Sequence, residues 1–196
     1  ALYYAAWLAP GIAGTSPSAD QIATAETAAN ALLAQIDGAF SAAKKPATTS
    51  DADWSKAKNE TAAIGHTTLG WAALNKKDFP TAEKEFEQSL QLNANNGQVS
   101  YWLGQSLLQQ QKPELYSKAL YSFARAAAYD GAGSLPAANR PTISAYFKKI
   151  YTQYHGSDQG ADDVLNQAKT AALPADGFKI VSLADQQNKS IQATND

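Results

Sequence analysis

Residues 63–96 read AIGHTTLGWAALNKKDFPTAEKEFEQSLQLNANN, and residues 97–133 read GQVSYWLGQSLLQQQKPELYSKALYSFARAAAYDGAG. Aligned on their Leu-Gly pairs, Leu69-Gly70 and Leu103-Gly104, the two stretches are one unit and its copy, 34 residues apart. Further on, Ala82, Phe86 and Ser89 correspond to Ala119, Phe123 and Ala126 at a spacing of 37 residues. The extra three residues fall around Gln111–Leu115, in the turn between two helices, where added length is well tolerated. Glycine inside a helix costs about 1 kcal/mol relative to alanine. Two glycines at the same phase therefore need a packing reason. Gly70 set against Ala82, and Gly104 against Ala119, would let two antiparallel backbones approach closely. Phe86 and Phe123 would then fill the groove toward the next helix pair. A helix hairpin of this kind cannot bury both faces alone, so neighbours must complete its core.

Working outward, the rest of the chain also reads as helix. It has 196 residues, 44% hydrophobic and 17% charged, with 40 alanines but only 12 Gly and 8 Pro. The first apolar block, Ala1–Ala9, is expected to end at Pro10-Gly11 and the Gly14–Ser18 stretch. An alanine-rich run from Ala19 to Lys45 follows, with Lys44-Lys45 at its C-terminal end and Pro46 as its stop. Ser50-Asp51-Ala52-Asp53 approximates a capping box and opens a helical pattern that runs to about Leu74. Shorter helices are predicted over 80–93, 98–110, 114–129, 141–154 and 158–171, with a last one to about Gln192. No segment alternates convincingly except 178–181. The expected fold is all-α.

The repeated residues resemble the tetratricopeptide repeat (TPR) family, whose pattern is an aromatic, Leu-Gly three residues on, a large residue, then Ala-x3-Phe and a closing proline. Departures fall at the opening aromatic (His66, Ser100), at the later large position (Ala73, Leu107) and at the closing proline (Ala94, Gly131). The resemblance covers about a third of the chain and extends to bacterial proteins in which such a domain follows further repeats. It implies a single antiparallel helix-hairpin solenoid with a right-handed superhelical course. Its parts would be a truncated pair over 1–46, a first clear repeat over 51–96 with an extended first helix, and a second repeat over 97–133. A degenerate capping pair over 139–173 and a C-terminal tail with a short helix over 178–196 would complete it.

In a TPR-like array the first helices line a concave groove that holds a peptide or a partner helix. Leu69, Gly70, Ala82 and Phe86, with Leu103, Gly104, Ala119, Phe123 and Ala126, would then be the packing positions. The groove would be lined by Ile64, Thr67, Trp71, Leu74 and Asn75 in the first copy. In the second it would be lined by Gln98, Tyr101, Gln105, Leu108 and Gln109. The subfamily that clamps carboxylates wants Lys and Asn where this chain has Thr67 and Trp71, then Tyr101 and Gln105. An aromatic-and-amide groove suits a neutral extended segment or an apolar helix instead. The bland alternative is that the chain's own extra segments fill the groove and bury Trp71 and Tyr101.

Composition excludes several chemistries. The net charge of −2 provides no basic field for nucleic acid or an anionic membrane. The absence of cysteine removes disulfides, thiolate metal sites and thiol nucleophiles. No run approaches the ~18 apolar residues of a membrane span. With no methionine either, the sequence reads as a piece of a longer protein, bacterial by resemblance, either cytoplasmic or exported to the envelope. The two histidines carry no metal-ligand spacing. His66 sits at the repeat's aromatic position and reads as a half-buried ring, and His155 as a turn residue. Glu83, Glu85 and Glu87 read as a solvated helix face.

Three functions follow in order. The first is a non-catalytic scaffold that binds a protein or peptide and uses no cofactor. The second is a structural module stacked on further repeats or on a neighbouring domain of a longer parent chain, whose exposed Ala1–Ala9 flank would show itself by self-association. The third is a small-ligand or enzymatic pocket, which would need His66 beside a carboxylate in a deep cavity.

Overall fold

The computed structural model describes residues 2–12 and 16–195, so Ala1, Asp196 and residues 13–15, which include the start of the expected Gly14–Ser18 breaker, lie outside it. Among the described residues there are nine α-helices and no strand. They are α1 (Leu2–Ile12), α2 (Ala19–Ala39), α3 (Asp51–Asn75), α4 (Phe79–Leu92), α5 (Gly97–Gln109), α6 (Tyr116–Ala128), α7 (Arg140–His155), α8 (Ala161–Thr170) and α9 (Leu183–Asn195). The fold is all-α. Residues 178–181, the one stretch with a hint of alternation, form no strand.

The helix starts follow local chemistry. Ser18 and Gln21 form a reciprocal capping box, with Gln21 N–H donating to Ser18 Oγ at 3.2 Å and Ser18 N–H donating to Gln21 Oε1 at 2.8 Å. At α3, Ser50 Oγ accepts from Asp53 N–H at 3.0 Å, but the Asp53 carboxylate accepts from the Ser50 hydroxyl instead of from a backbone N–H. Asp78 and Asn96 cap α4 and α5 by accepting from Thr81 N–H and Val99 N–H.

Two expected helix ends move. The run from Ala19 breaks at Ala39 and is followed by a 3-10 turn over Ala42–Lys44. The indole of Trp54 explains this: its Nε1–H donates to Phe40 O at 3.0 Å, and its ring packs 4.7 Å from that of Phe40. Lys45 therefore lies beyond the helix end, where it pairs with Asp51 at the start of α3 and holds that carboxyl below its ordinary range. At the other end, Pro10-Gly11 does not stop α1, which continues to Ile12.

Pro10 has no N–H, so the Ala6 carbonyl one turn back loses its helical donor. Thr68 of α3 supplies a replacement. Its hydroxyl lies 2.8 Å from Ala6 O and 3.0 Å from Ile64 O, and the threonine is buried. Ala6 and Ala29 are completely buried at this crossing, with Leu2, Ile64 and Leu69 packed around them.

The chain divides into two compact units, Ala1–Ala94 and Asn95–Asp196, with the boundary two residues before the second sequence copy begins at Gly97. In the first unit α3 packs on α4, α2 on α3, and α1 on both α2 and α3. In the second unit α5, α7 and α8 all pack on α6, which is buried along most of its length. The core of that unit holds Leu120, Phe123, Phe147, Tyr151, Val164 and Ile180.

The two glycines behave alike within their own hairpins. A Cβ on Gly70 would stand 2.6 Å from the Phe86 ring, and one on Gly104 would stand 3.0 Å from the Phe123 ring. The close neighbour is thus the phenylalanine, not Ala82 or Ala119; the Phe123 ring also packs against Tyr146 of α7, the first helix after its own hairpin. Ala82, Phe86, Leu103, Ala119, Phe123 and Ala126 are all essentially inaccessible to water. Leu69 departs from its expected place. One residue before Gly70, it is rotated by about 100° around the helix, and it meets α1 and α2 instead of α4.

The expected capping pair also changes character. α7 and α8 pack chiefly on α6 instead of forming a self-contained hairpin. Side chains from α6 hold the end of α8: Tyr121 Oη lies 3.1 Å from Ala171 O and 3.3 Å from Gln167 O, and Arg125 Nη1 donates to Ala168 O and Lys169 O at 3.0 and 2.7 Å. Arg125 is 3% exposed, and its guanidinium lies 3.8 Å above the Tyr129 ring. A cation at a helix C-terminus meets the negative end of the dipole, and burial pulls Arg125 below its ordinary pKa.

Candidate functional site

The residues expected to form a groove separate by unit. In the first, they are spent on internal contacts. Ile64 packs beneath α1, Thr67 Oγ1 lies 2.7 Å from Ser89 Oγ of α4, and Trp71 is 4% exposed. Asn75 turns its amide back to Trp71 O at 2.8 Å, and Leu74 is half-buried. Phasing alone could not foresee this, because the first copy contains no information about where α1 and α2 settle. Ile64, half-buried, packs against Ala6 of α1 and Ala29 and Leu32 of α2.

In the second unit α5 and α7 flank α6 and leave a cleft along it. Tyr101 of α5 and Tyr146 of α7 both pack edge to face on the buried ring of Phe123 of α6, at centroid separations of 5.6 and 5.2 Å. Tyr146 is exposed, yet burial of its phenol, with the neighbouring Tyr101 as a second cause, raises its pKa above the ordinary value. Gln105 Nε2 lies 3.5 Å from Tyr101 Oη. Lower down, a hollow of about 670 Å³ is lined by Leu108 and Gln109 of α5, Tyr116 and Leu120 of α6, and Ile150, Gln153 and Tyr154 of α7, with Gln111 at its edge. It contains no ionisable group except two phenols. A second hollow of about 640 Å³ shares Gln111, Tyr116, Gln153 and Tyr154 and continues to Glu114, Lys179 and Asp185. Between them stand Tyr116 and Tyr154, stacked with their centroids 5.4 Å apart and their planes 9° from parallel.

Leu108 and Gln109 of the expected groove line this hollow, and Tyr101, with Gln105 beside it, lies two turns back along α5. Gln98 is half-buried at the start of α5 and does not line either hollow. Missed from sequence were Tyr116, Tyr146, Gln153 and Tyr154. Their signal is present in the aromatic density of residues 144–155, SAYFKKIYTQYH, but a pair over 139–173 reads as a cap when its packing partner is unknown.

His66 sits between α3 and α4, with Nδ1 2.7 Å from Glu85 Oε2 and both side chains largely buried. The carboxylate expected for a catalytic reading is present, but the pair lines none of the hollows described and serves as a bridge across the hairpin. His155 places Nδ1 2.7 Å from Val181 O and so anchors the segment leading into α9. Among the described residues no group of three or more His, Asp or Glu side chains could hold a metal ion. Among them, too, no helix is long and apolar enough to cross a membrane. No family model, curated protein or solved structure matches the chain.

Proposed function

We propose that the chain is a TPR-like helical scaffold that binds a protein or peptide along the cleft over α6. The observation that carries this reading is the neutral hollow walled by Leu108, Gln109 and Gln153, with Tyr101 and Tyr146 standing over the buried Phe123 two turns back along the same helices. Tyrosines offer large contact area at little rotamer cost, and surface amides add direction. The paired glycine–phenylalanine contacts of the two hairpins support the TPR-like part. The test replaces Tyr146 with a photo-crosslinking amino acid and exposes the purified chain to lysate. The captured protein is then purified, and its affinity is measured for the wild-type chain and for Gln105→Ala. Specific capture with weaker binding by the variant supports the reading. Capture no different from a cross-linker at exposed Lys84 removes it.

The structural-module reading draws on a different feature. α1 exposes Tyr4 and Trp7 at 62% and 56%, together with Leu8. Beside them, a mostly apolar trough of about 440 Å³ is lined by Tyr4, Ala5, Leu8, Ala9, Thr24 and Ala25, with Asp20 and Gln21 at the start of α2. Exposed apolar surface of this kind marks contact with another body. Concentration-dependent sedimentation that disappears in Trp7→Ser would favour this second reading.

A further inference from the structure

We infer that the paired hollows flanking Tyr116 and Tyr154 recognise an extended peptide that sets an aliphatic side chain in one hollow and, across the tyrosine pair, a basic side chain in the other. The inference rests on the scaffold reading and names the chemistry of its partner.

The first hollow fixes the aliphatic end. Its floor is Leu108, Leu120 and Ile150, and hydroxyls set against branched aliphatic carbons would lose hydrogen bonds to water without replacement. A saccharide is therefore disfavoured there, and a leucine- or proline-sized side chain fits. The walls fix the backbone. Gln109, Gln111 and Gln153 are exposed side-chain amides, each offering a carbonyl acceptor and N–H donors, the same pair that a peptide unit presents. No cation lines this hollow, so an anionic ligand would find no counter-charge.

The second hollow fixes the charge. Lys179 and Asp185 cancel one another, with Nζ 3.2 Å from Oδ2, and the lysine together with Ser182 holds the Asp185 carboxyl below its ordinary pKa. Glu114, in the 3-10 turn before α6, lines the same hollow and has no ion-pair partner among the described residues. Lys112 precedes it in sequence but does not line the hollow. One uncompensated carboxylate beyond a neutral, aromatic-walled hollow is complementary to a Lys or Arg side chain.

The probes are acetyl-Leu-(Gly)n-Lys-amide peptides with two to four glycines, titrated into the isotopically labelled chain and followed by NMR at the glutamine side-chain amides. The expected result is saturable shifts of Gln109, Gln111 and Gln153 at millimolar concentration. Affinity should fall about two- to fivefold when the probe's Lys is replaced by Glu, or when Glu114→Gln is introduced, as for a surface charge pair. Gln153→Ala, at an exposed helix position, should weaken every probe and leave the fold intact. The inference is overturned if no shift saturates by about 10 mM, if the Lys and Glu probes bind alike, or if maltotriose moves the same amides more strongly. Failure of the probes while the Tyr146 cross-link persists removes this inference alone; failure of both removes the scaffold reading too.

Discussion

At the scale of single residues, the first unit depends on a hydroxyl that substitutes for a missing amide. Thr68→Val keeps the shape and leaves Ala6 O, buried at the α1 crossing, without a donor. The expected loss is about 1–3 kcal/mol, read by chemical denaturation. Adding Pro10→Ala should recover most of it, because an alanine at that position would supply the helical N–H. If the two changes are additive, the hydroxyl is not serving the proline. The glycines allow a graded test. Gly70→Ala sets a Cβ against the Phe86 ring at 2.6 Å, Gly104→Ala at 3.0 Å from the Phe123 ring. Each also gains about 1 kcal/mol of helix propensity. The melting temperature should fall for Gly70→Ala and change much less for Gly104→Ala, with Phe86→Leu relieving the former.

At the scale of elements, punctuation and caps made the helices readable. Ser50 announces α3, and the starts expected for α4 and α5, at residues 80 and 98, lie within one residue of those observed. What local signals could not convey was the partner of each element. Trp54 shortens α2 from a position fourteen residues beyond Phe40, and Arg125 organises α8 from another helix. In sequence Arg125 is an isolated cation in an alanine-rich helix, and only the fold shows it among the last carbonyls of α8. Arg125→Met keeps the volume and removes the donors. Amide exchange over 161–170 should then accelerate strongly, while that of α5 stays protected. Equal acceleration throughout the second unit would show that the contact belongs to the core at large. The binding cleft was half legible for the same reason: α5 presents its residues by its own phase, whereas the α7 wall required knowing that α7 packs on α6.

At the scale of the molecule, two cores share one chain. Tyr121 gives the second core a pH signature. Burial raises its phenol pKa, with Arg125 opposing weakly, so the folded state holds the proton more tightly than the unfolded chain. That contribution is complete below the unfolded value of about 10 and is lost as pH rises through the higher folded value. Stability of the second unit should therefore decline above about pH 10, and Tyr121→Phe should flatten the decline although it removes the bonds to Gln167 O and Ala171 O. An unchanged profile would assign the alkaline loss to other tyrosines, Tyr146 and Tyr151 first, since burial raises both.

The junction between the copies carries a practical consequence. Gly133 has φ +79°, a Cβ there would fall 1.9 Å from Asn95 O, Gly97 N–H donates to Gly133 O at 2.9 Å, and Tyr129 Oη lies 2.8 Å from Asn95 Oδ1. The first residues after the boundary are thus sewn to the loop that follows the α5–α6 hairpin. Anyone dividing the chain for separate expression has a narrow choice of scissor point: 95–196 keeps the seam and should yield a cooperative thermal transition, whereas a fragment beginning at Gln98 discards it and should melt lower or remain unfolded.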